Sequence, residues 1–311
     1  GQVKRYWPVR PLRRRSLAEG TRLAAEMLKG TLAAAHRRFP LAMSLSSGYD
    51  SRVVFAACKD FAPDLFLFSL QYRRLDESSD DIRIPREIAK ACGLEHHLID
   101  CRGPMSAAFA EVYSQQVAGA KDDWGSIAEA RYHHVPRERV VLKGSISEIM
   151  RCRFWDVGVY PYRVTLRDMV RLLPLGDDPL VAESLRAWMI DALPVEQMNY
   201  KLLDFLSWEI EIGNWMGMAP MFFDLAQEEF SPFSNRRFLD IMLSVDPAYR
   251  SYPEHILERK IVAYLWPEIA KFPYTPSRKV HHKRFLDGPI LNALRWGRYL
   301  LFEEKHDRLE A

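Results

Sequence analysis

Apolar residues recur along the first half of the chain in two alternating patterns. Ser16 and Glu19 have the spacing of a capping box, and Leu23, Met27, Leu28 and Leu32 follow at helical intervals until Pro40 stops the run. This predicts a long opening helix. Leu41 to Leu45 then form a short apolar run of strand length, followed by the tight segment Ser46-Ser47-Gly48-Tyr49 and a second helical stretch through Val53, Val54, Ala56 and Ala57. The cycle repeats with Leu65 to Leu70 as a strand, a helix from about Ile82 with Pro85 in its first turn and Gly93 just past its end, and His96 to Ile99 as a third strand. Val140 to Lys143 make a fourth strand, ended by Gly144. Strands alternating with helices predict an α/β fold: a parallel sheet with helices on both faces, and any ligand at the carboxyl ends of the strands.

Beyond Gly158 the pattern changes to amphipathic helices, such as the stretch from Tyr200 to Met218, and no further strand is expected. Trp208, Trp215, Met216 and Met218 lie at helical spacing there and read as core. No repeat or Gly/Ser linker separates the halves. The expected organisation is therefore an α/β unit over residues 1–157 and a mostly helical unit over residues 158–311, sharing one core.

Composition narrows the class. At 311 residues and 48% hydrophobic, the chain can bury a large core, while its apolar stretches are broken by charges before the roughly 18 residues a bilayer span requires. The expectation is a soluble, cytoplasmic protein with no membrane partner. Cys58, Cys92, Cys101 and Cys152 show neither CxxC nor zinc spacing and read as packing thiols. The pairs His96-His97, His133-His134 and His281-His282 lack accompanying ligands and do not read as zinc sites. A net charge of +3 does not demand a nucleic-acid partner. Lys4, Arg5, Arg10, Arg13, Arg14 and Arg15 nonetheless crowd the first segment, which reads as a solvated arm or a face packing on a missing neighbour. The chain begins at Gly1 rather than Met, which leaves room for a preceding domain.

The chemistry concentrates in one loop. A strand-to-helix turn aims backbone N–H groups and the positive end of the helix dipole at one point, which suits an anion. Ser46, Ser47 and Ser51 add hydroxyls, Gly48 admits close approach, and Asp50 supplies a carboxylate able to hold Mg²⁺ against a polyphosphate. The plain alternative is a Ser-rich turn capping a helix.

Ser46-Ser47-Gly48-Tyr49-Asp50-Ser51 resembles the Ser-Gly-Gly-x-Asp-Ser pyrophosphate loop of the N-type ATP pyrophosphatases, with Ser47 in place of the first glycine. Val140-Val141-Leu142-Lys143-Gly144 is similar to the strand and glycine of the second signature in the asparagine synthetase branch. Glu228, Pro232, Phe233 and Asn235 resemble that branch's Glu-x-Arg-x-Pro-Phe-x-Asp segment. The resemblance implies ATP and Mg²⁺ as cofactors, with Ser46, Ser47, Gly48 and Ser51 as the pyrophosphate cradle. It also implies Asp50 as a metal ligand, Gly144 at the nucleotide, and Leu70 beside the adenine through its backbone. The implied reaction is adenylation of a carboxylate with release of pyrophosphate, for amide formation.

The second signature departs from Gly-Glu-Gly-x-Asp-Glu, since this chain has Gly144-Ser145-Ile146-Ser147-Glu148-Ile149. Glu148 can stand in for the Asp as a metal carboxylate. Ser145 cannot replace a general base, because its hydroxyl does not ionise near neutral pH. Lys279 and Lys283 are the candidates for the family's late phosphate-contacting lysine, with a basic surface segment as the equal alternative. Arg52 is either a phosphate contact or a helix-surface arginine. With no cysteine before Cys58, glutamine hydrolysis by the family's usual N-terminal cysteine is not expected. The expected partners are therefore a small-molecule or peptide carboxylate and an amine source, from a missing N-terminal domain or a separate protein, rather than a nucleic acid. The rival readings are a catalytically silent nucleotide-binding domain and a tRNA-modifying relative. Asp122 and Asp123 read as caps of the helix that follows.

Overall fold

A computed structural model describes residues 5–117, 123–155, 160–161, 163–173, 175 and 178–275. The opening helix α1 spans Leu17–Arg38, with the Ser16 hydroxyl accepting from Glu19 N and His36, Arg37 and Arg38 in the last turn, where the dipole favours cations. Strand β1 (Leu41–Ser44) leads into α2 (Tyr49–Ala57), then β2 (Phe66–Gln71), α3 (Asp80–Ala91) and β3 (His97–Asp100). Helices α4 (Ala107–Gln116) and α5 (Trp124–His134) precede β4 (Val140–Leu142). Helix α3 starts at Asp80, so Pro85 lies inside it rather than in its first turn. Asp80 and Asp81 in that first turn suit the positive end of the dipole.

The sheet order is β3-β2-β1-β4-β5, and every pairing is parallel. Strand β5 (Glu229–Phe230) corrects the expectation of a strandless second half. Two residues are too few to show a period, and the strand exists because β4 holds it: Val141 N donates to Glu228 O at 2.8 Å and Lys143 N to Phe230 O at 2.9 Å. Alternating strand residues supply the two faces. Leu41, Met43, Leu67 and Leu142 face one cluster with α1, α2 and the later helices α8 (Arg236–Leu243) and α9 (Ile256–Leu265), whereas Ala42, Phe68 and Val141 face α5 and Phe222.

The second half has a cluster of its own, built from Phe154, Trp155, Met169, Met189, Leu203 and Phe205. Helices α6 (Leu166–Leu172) and α7 (Pro179–Ala192) begin with capping residues Thr165 and Asp178. The helical run over residues 202–218 contains a π-helix at Leu206–Ile212. That turn breaks the 3.6-residue register. Trp208 and Met216 accordingly pack inward while Trp215 and Met218 are exposed, correcting their assignment to the core.

The basic first segment divides: Arg10, Arg13 and Arg14 are exposed, whereas its start docks on the helical half. Arg5 forms a bidentate pair with Glu209 at 2.6 and 2.8 Å, and Trp7 packs on Tyr200, Phe205 and Trp208 of the helical half. All four cysteines are free thiols, three of them buried. No described helix is long and apolar enough to cross a membrane.

Candidate functional site

In the observed strand order, β2 lies on one side of β1 and β4 on the other, so the connections leaving β1 and β4 diverge to opposite sides of β1. In open α/β sheets a crevice for ligands forms at such a switch point, at the carboxyl ends of the strands. The segment 46–51 follows β1 there, and the segment 144–151 follows β4. The two touch. A Cβ on Gly144 would lie 2.7 Å from Asp50 Cβ and 3.0 Å from Ser51 N, so only glycine admits this approach.

The first loop is closed by its own hydroxyls. Ser46 and Ser51 share an Oγ–Oγ hydrogen bond of 2.9 Å, Ser46 N donates to Ser51 Oγ at 3.2 Å, and Gly48 N donates to Ser46 Oγ at 3.2 Å. Ser47 is buried, and its N and Oγ both donate to Asp81 at the start of α3, at 3.1 and 2.5 Å. Helix α2 has no side-chain cap, since Gly48 is its N-cap. The N–H groups of its first turn are thus available to an anion.

Arg52 is not a helix-surface residue. It is 0% exposed, and its guanidinium donates to Phe272 O, Pro273 O and Ser47 O at 2.7, 2.7 and 3.2 Å. It lies 3.8 Å from the Tyr274 ring centroid, and burial lowers its pKa. Among the described residues Arg52 has no carboxylate partner. Tyr274 in turn stacks on Tyr49.

Asp50 and Glu148, the expected metal carboxylates, have different surroundings. Asp50 Oδ1 accepts from the Ser147 hydroxyl and from the Arg151 guanidinium. Arg151 closes the short 3-10 turn Ser147–Arg151, and its Nε is anchored 3.0 Å from Oε1 of Glu258, which is 2% exposed. Burial pushes the Glu258 carboxyl up, but His255 at 3.7 Å and the charge of Arg151 outweigh it and hold it below its ordinary value. Glu148 lies instead in the field of Arg153 and Glu211. Burial raises its carboxyl, and its Oε2 has no hydrogen-bond partner among the described residues. Among those residues no group of three or more His, Cys, Asp and Glu could hold a metal ion. The donor set, as placed, does not fit magnesium, because the charge of Asp50 is already answered by a guanidinium.

The remaining expected residues are dispersed around the switch point or lie outside the description. Leu70 sits near the carboxyl end of β2, half-buried and paired with Ile99. Ser145 is tied through its carbonyl to Ser231, just past β5, at 2.7 Å. Thr275 places its hydroxyl 2.5 Å from Ser47 Oγ, and Lys279 and Lys283 lie outside the described residues. Asn235 caps α8, accepting from Arg237 N and Phe238 N. Asp123 stands at the N-cap position of α5 but makes no cap bond, pairing instead with Arg73 at 3.3 Å.

Residues 25–132 match the asparagine synthase family model. This segment is asparagine synthase-like. It holds the first loop and β1 to β3 and ends before β4, so the asparagine synthase-like match does not extend to the divergent second loop. No match to a curated protein was found. The chain is similar to a solved structure of NH3-dependent NAD synthetase from Campylobacter jejuni in complex with the nitrate ion, at 12% identity and TM-score 0.29, over 68% of this chain and 91% of that one.

Sequence reasoning passed over Arg151 and Asp81. Each acts through a partner far along the chain, and neither has a local pattern that marks it.

Proposed function

We propose that the chain is a nucleotide-dependent synthetase that binds the phosphates of ATP at residues 46–51 and activates a carboxylate by adenylation, releasing pyrophosphate, for amide formation. The observation that carries this reading is the uncapped start of α2, lined by Ser46 and Ser51, at the switch point between β1 and β4 within an asparagine synthase-like segment. Ser46, Gly48 and Ser51 form the cradle, and Gly144 keeps the opposite loop close enough to bound the phosphates. Leu70 stands where an adenine would meet the end of β2. The α/β unit over residues 1–157 supplies the nucleotide site, and the helical unit over residues 158–311 supplies the acid and acceptor side, fed by a partner or a preceding domain.

Adenylation needs alignment and charge neutralisation more than proton transfer. Amidation by ammonia needs a base, and Ser145 provides none. A general base is worth about 10²- to 10⁴-fold in rate. The acceptor is therefore an amine deprotonated elsewhere, and simple asparagine formation from aspartate and ammonia is expected to be poor. Exchange of labelled pyrophosphate into ATP, run over a panel of acids, tests the reading: exchange with one acid class supports it, and ADP with phosphate as products would refute it. Ser145→Glu is expected to raise ammonia-dependent amidation, measured as asparagine formed.

A further inference from the structure

We propose that Arg151 is a built-in cation of the phosphate site, so that ATP binds there without a divalent metal at Asp50. This inference rests on the assignment of residues 46–51 as the nucleotide site. It starts from the group that a metal would need. Asp50 Oδ1 holds both the Arg151 guanidinium and the Ser147 hydroxyl. Arg151 is not a passing contact, because its Nε is fixed from behind by the buried Glu258, which His255 backs at 3.7 Å. A metal ion entering here would have to dislodge a guanidinium anchored at two points.

The second candidate carboxylate, Glu148, lies in the field of Arg153 and Glu211 and carries a buried Oε2 with no hydrogen-bond partner among the described residues. Asp81, the other acid at the loop, is taken up by the N–H and hydroxyl of Ser47. The cations of the site come from the chain itself, and Arg151 is shared with Asp50 and Glu258. Arg52 lies under the loop, fully buried, bonded to three carbonyls and to no described carboxylate, and Arg151 retains N–H groups beyond the two that bind Asp50 and Glu258. A fixed guanidinium within several ångströms of a polyphosphate in a half-buried crevice is worth about tenfold or more in affinity.

The test is calorimetric titration of the full chain with ATP and with pyrophosphate, in magnesium and in EDTA. The expected result is an ATP affinity in EDTA within about threefold of that in magnesium. Binding only in magnesium would overturn the inference and leave the nucleotide site standing, whereas no ATP binding in either buffer would overturn both. Arg151→Ala is expected to weaken metal-free binding about tenfold, with magnesium now restoring it at the exposed Asp50. Unchanged metal-free binding in a folded Arg151→Ala variant would also count against the proposal. Should that variant not fold, Asp50→Asn decides: release of Arg151 and loss of a negative charge predict tighter metal-free binding, and a loss of binding would contradict it.

Discussion

Arg52, Arg131 and Arg250 are fully buried among the described residues, and the regions around Arg131 and Arg52 treat the charge in opposite ways. At the β4–β5 seam, Arg131 meets Glu229 at 2.5 Å and Gln227 at 3.3 Å, with Lys143 adding a second cation 3.2 Å from the same Glu229 oxygen. At the loop over residues 46–51, Arg52 is equally buried but is met only by backbone carbonyls and an aromatic ring. Arg250 follows the first pattern, pairing with Asp204 at 3.0 Å in the helical half. A buried charge is tolerated when its partners answer it, and a buried carboxylate is the strongest answer. The seam is thus a finished structural joint. The loop keeps a positive charge that no described carboxylate answers.

The sharpest way to break this comparison is to remove both arginines in turn. Arg131→Ala leaves Glu229 buried beside only a half-exposed Lys143, and the expected loss is about 3–5 kcal/mol, measured by urea unfolding. Arg52→Met strands no carboxylate, so its cost is smaller, about 1–3 kcal/mol for carbonyls left unpaired. Its pyrophosphate affinity is expected to fall about tenfold. If Arg52→Met proved as destabilising as Arg131→Ala and bound pyrophosphate normally, both regions would be structural and the contrast would vanish.

Gly144→Ala sharpens the comparison where the two loops meet. Its methyl group meets Asp50 and the backbone of Ser51, so a loss of about 1–3 kcal/mol is expected, together with weakened ATP binding. Thermal unfolding and titration calorimetry on one sample would separate the two effects.

The smallest effect concerns a group whose charge is excluded rather than paired. His96 hydrogen-bonds Ser69 at 2.9 Å, and burial, helped by the charges of Arg86 and His97, lowers its pKa to about 4. The unfolded chain takes up this proton near the ordinary value of 6.5, whereas the folded chain does not until about 4. Stability is therefore lost as pH falls from 6.5 to about 4, and no further loss comes from this group below that. His96→Asn is expected to flatten the melting temperature against pH over that window, and an unchanged slope would contradict the assignment.

The sequence by itself determined the order of elements, the parallel α/β class and the position of the first loop. Those features are local: a period of 2 or 3.6, a Ser-Gly turn between strand and helix, a capping serine. Their signals lie within a few residues of one another, so a single chain displays them. It could not disclose β5, because two residues become a strand only when β4 offers its free edge. It could not place Arg5 and Trp7 on the helical half, since their partners lie about two hundred residues away. Nor could it tell that Asp50 would be met by Arg151 rather than by Glu148. That choice depends on a buried Glu258, 107 residues further on, which fixes the guanidinium in place. Backbone donors at a helix start are written in local sequence, but the partner that neutralises a buried charge is selected by which side chains the completed fold brings within hydrogen-bonding distance.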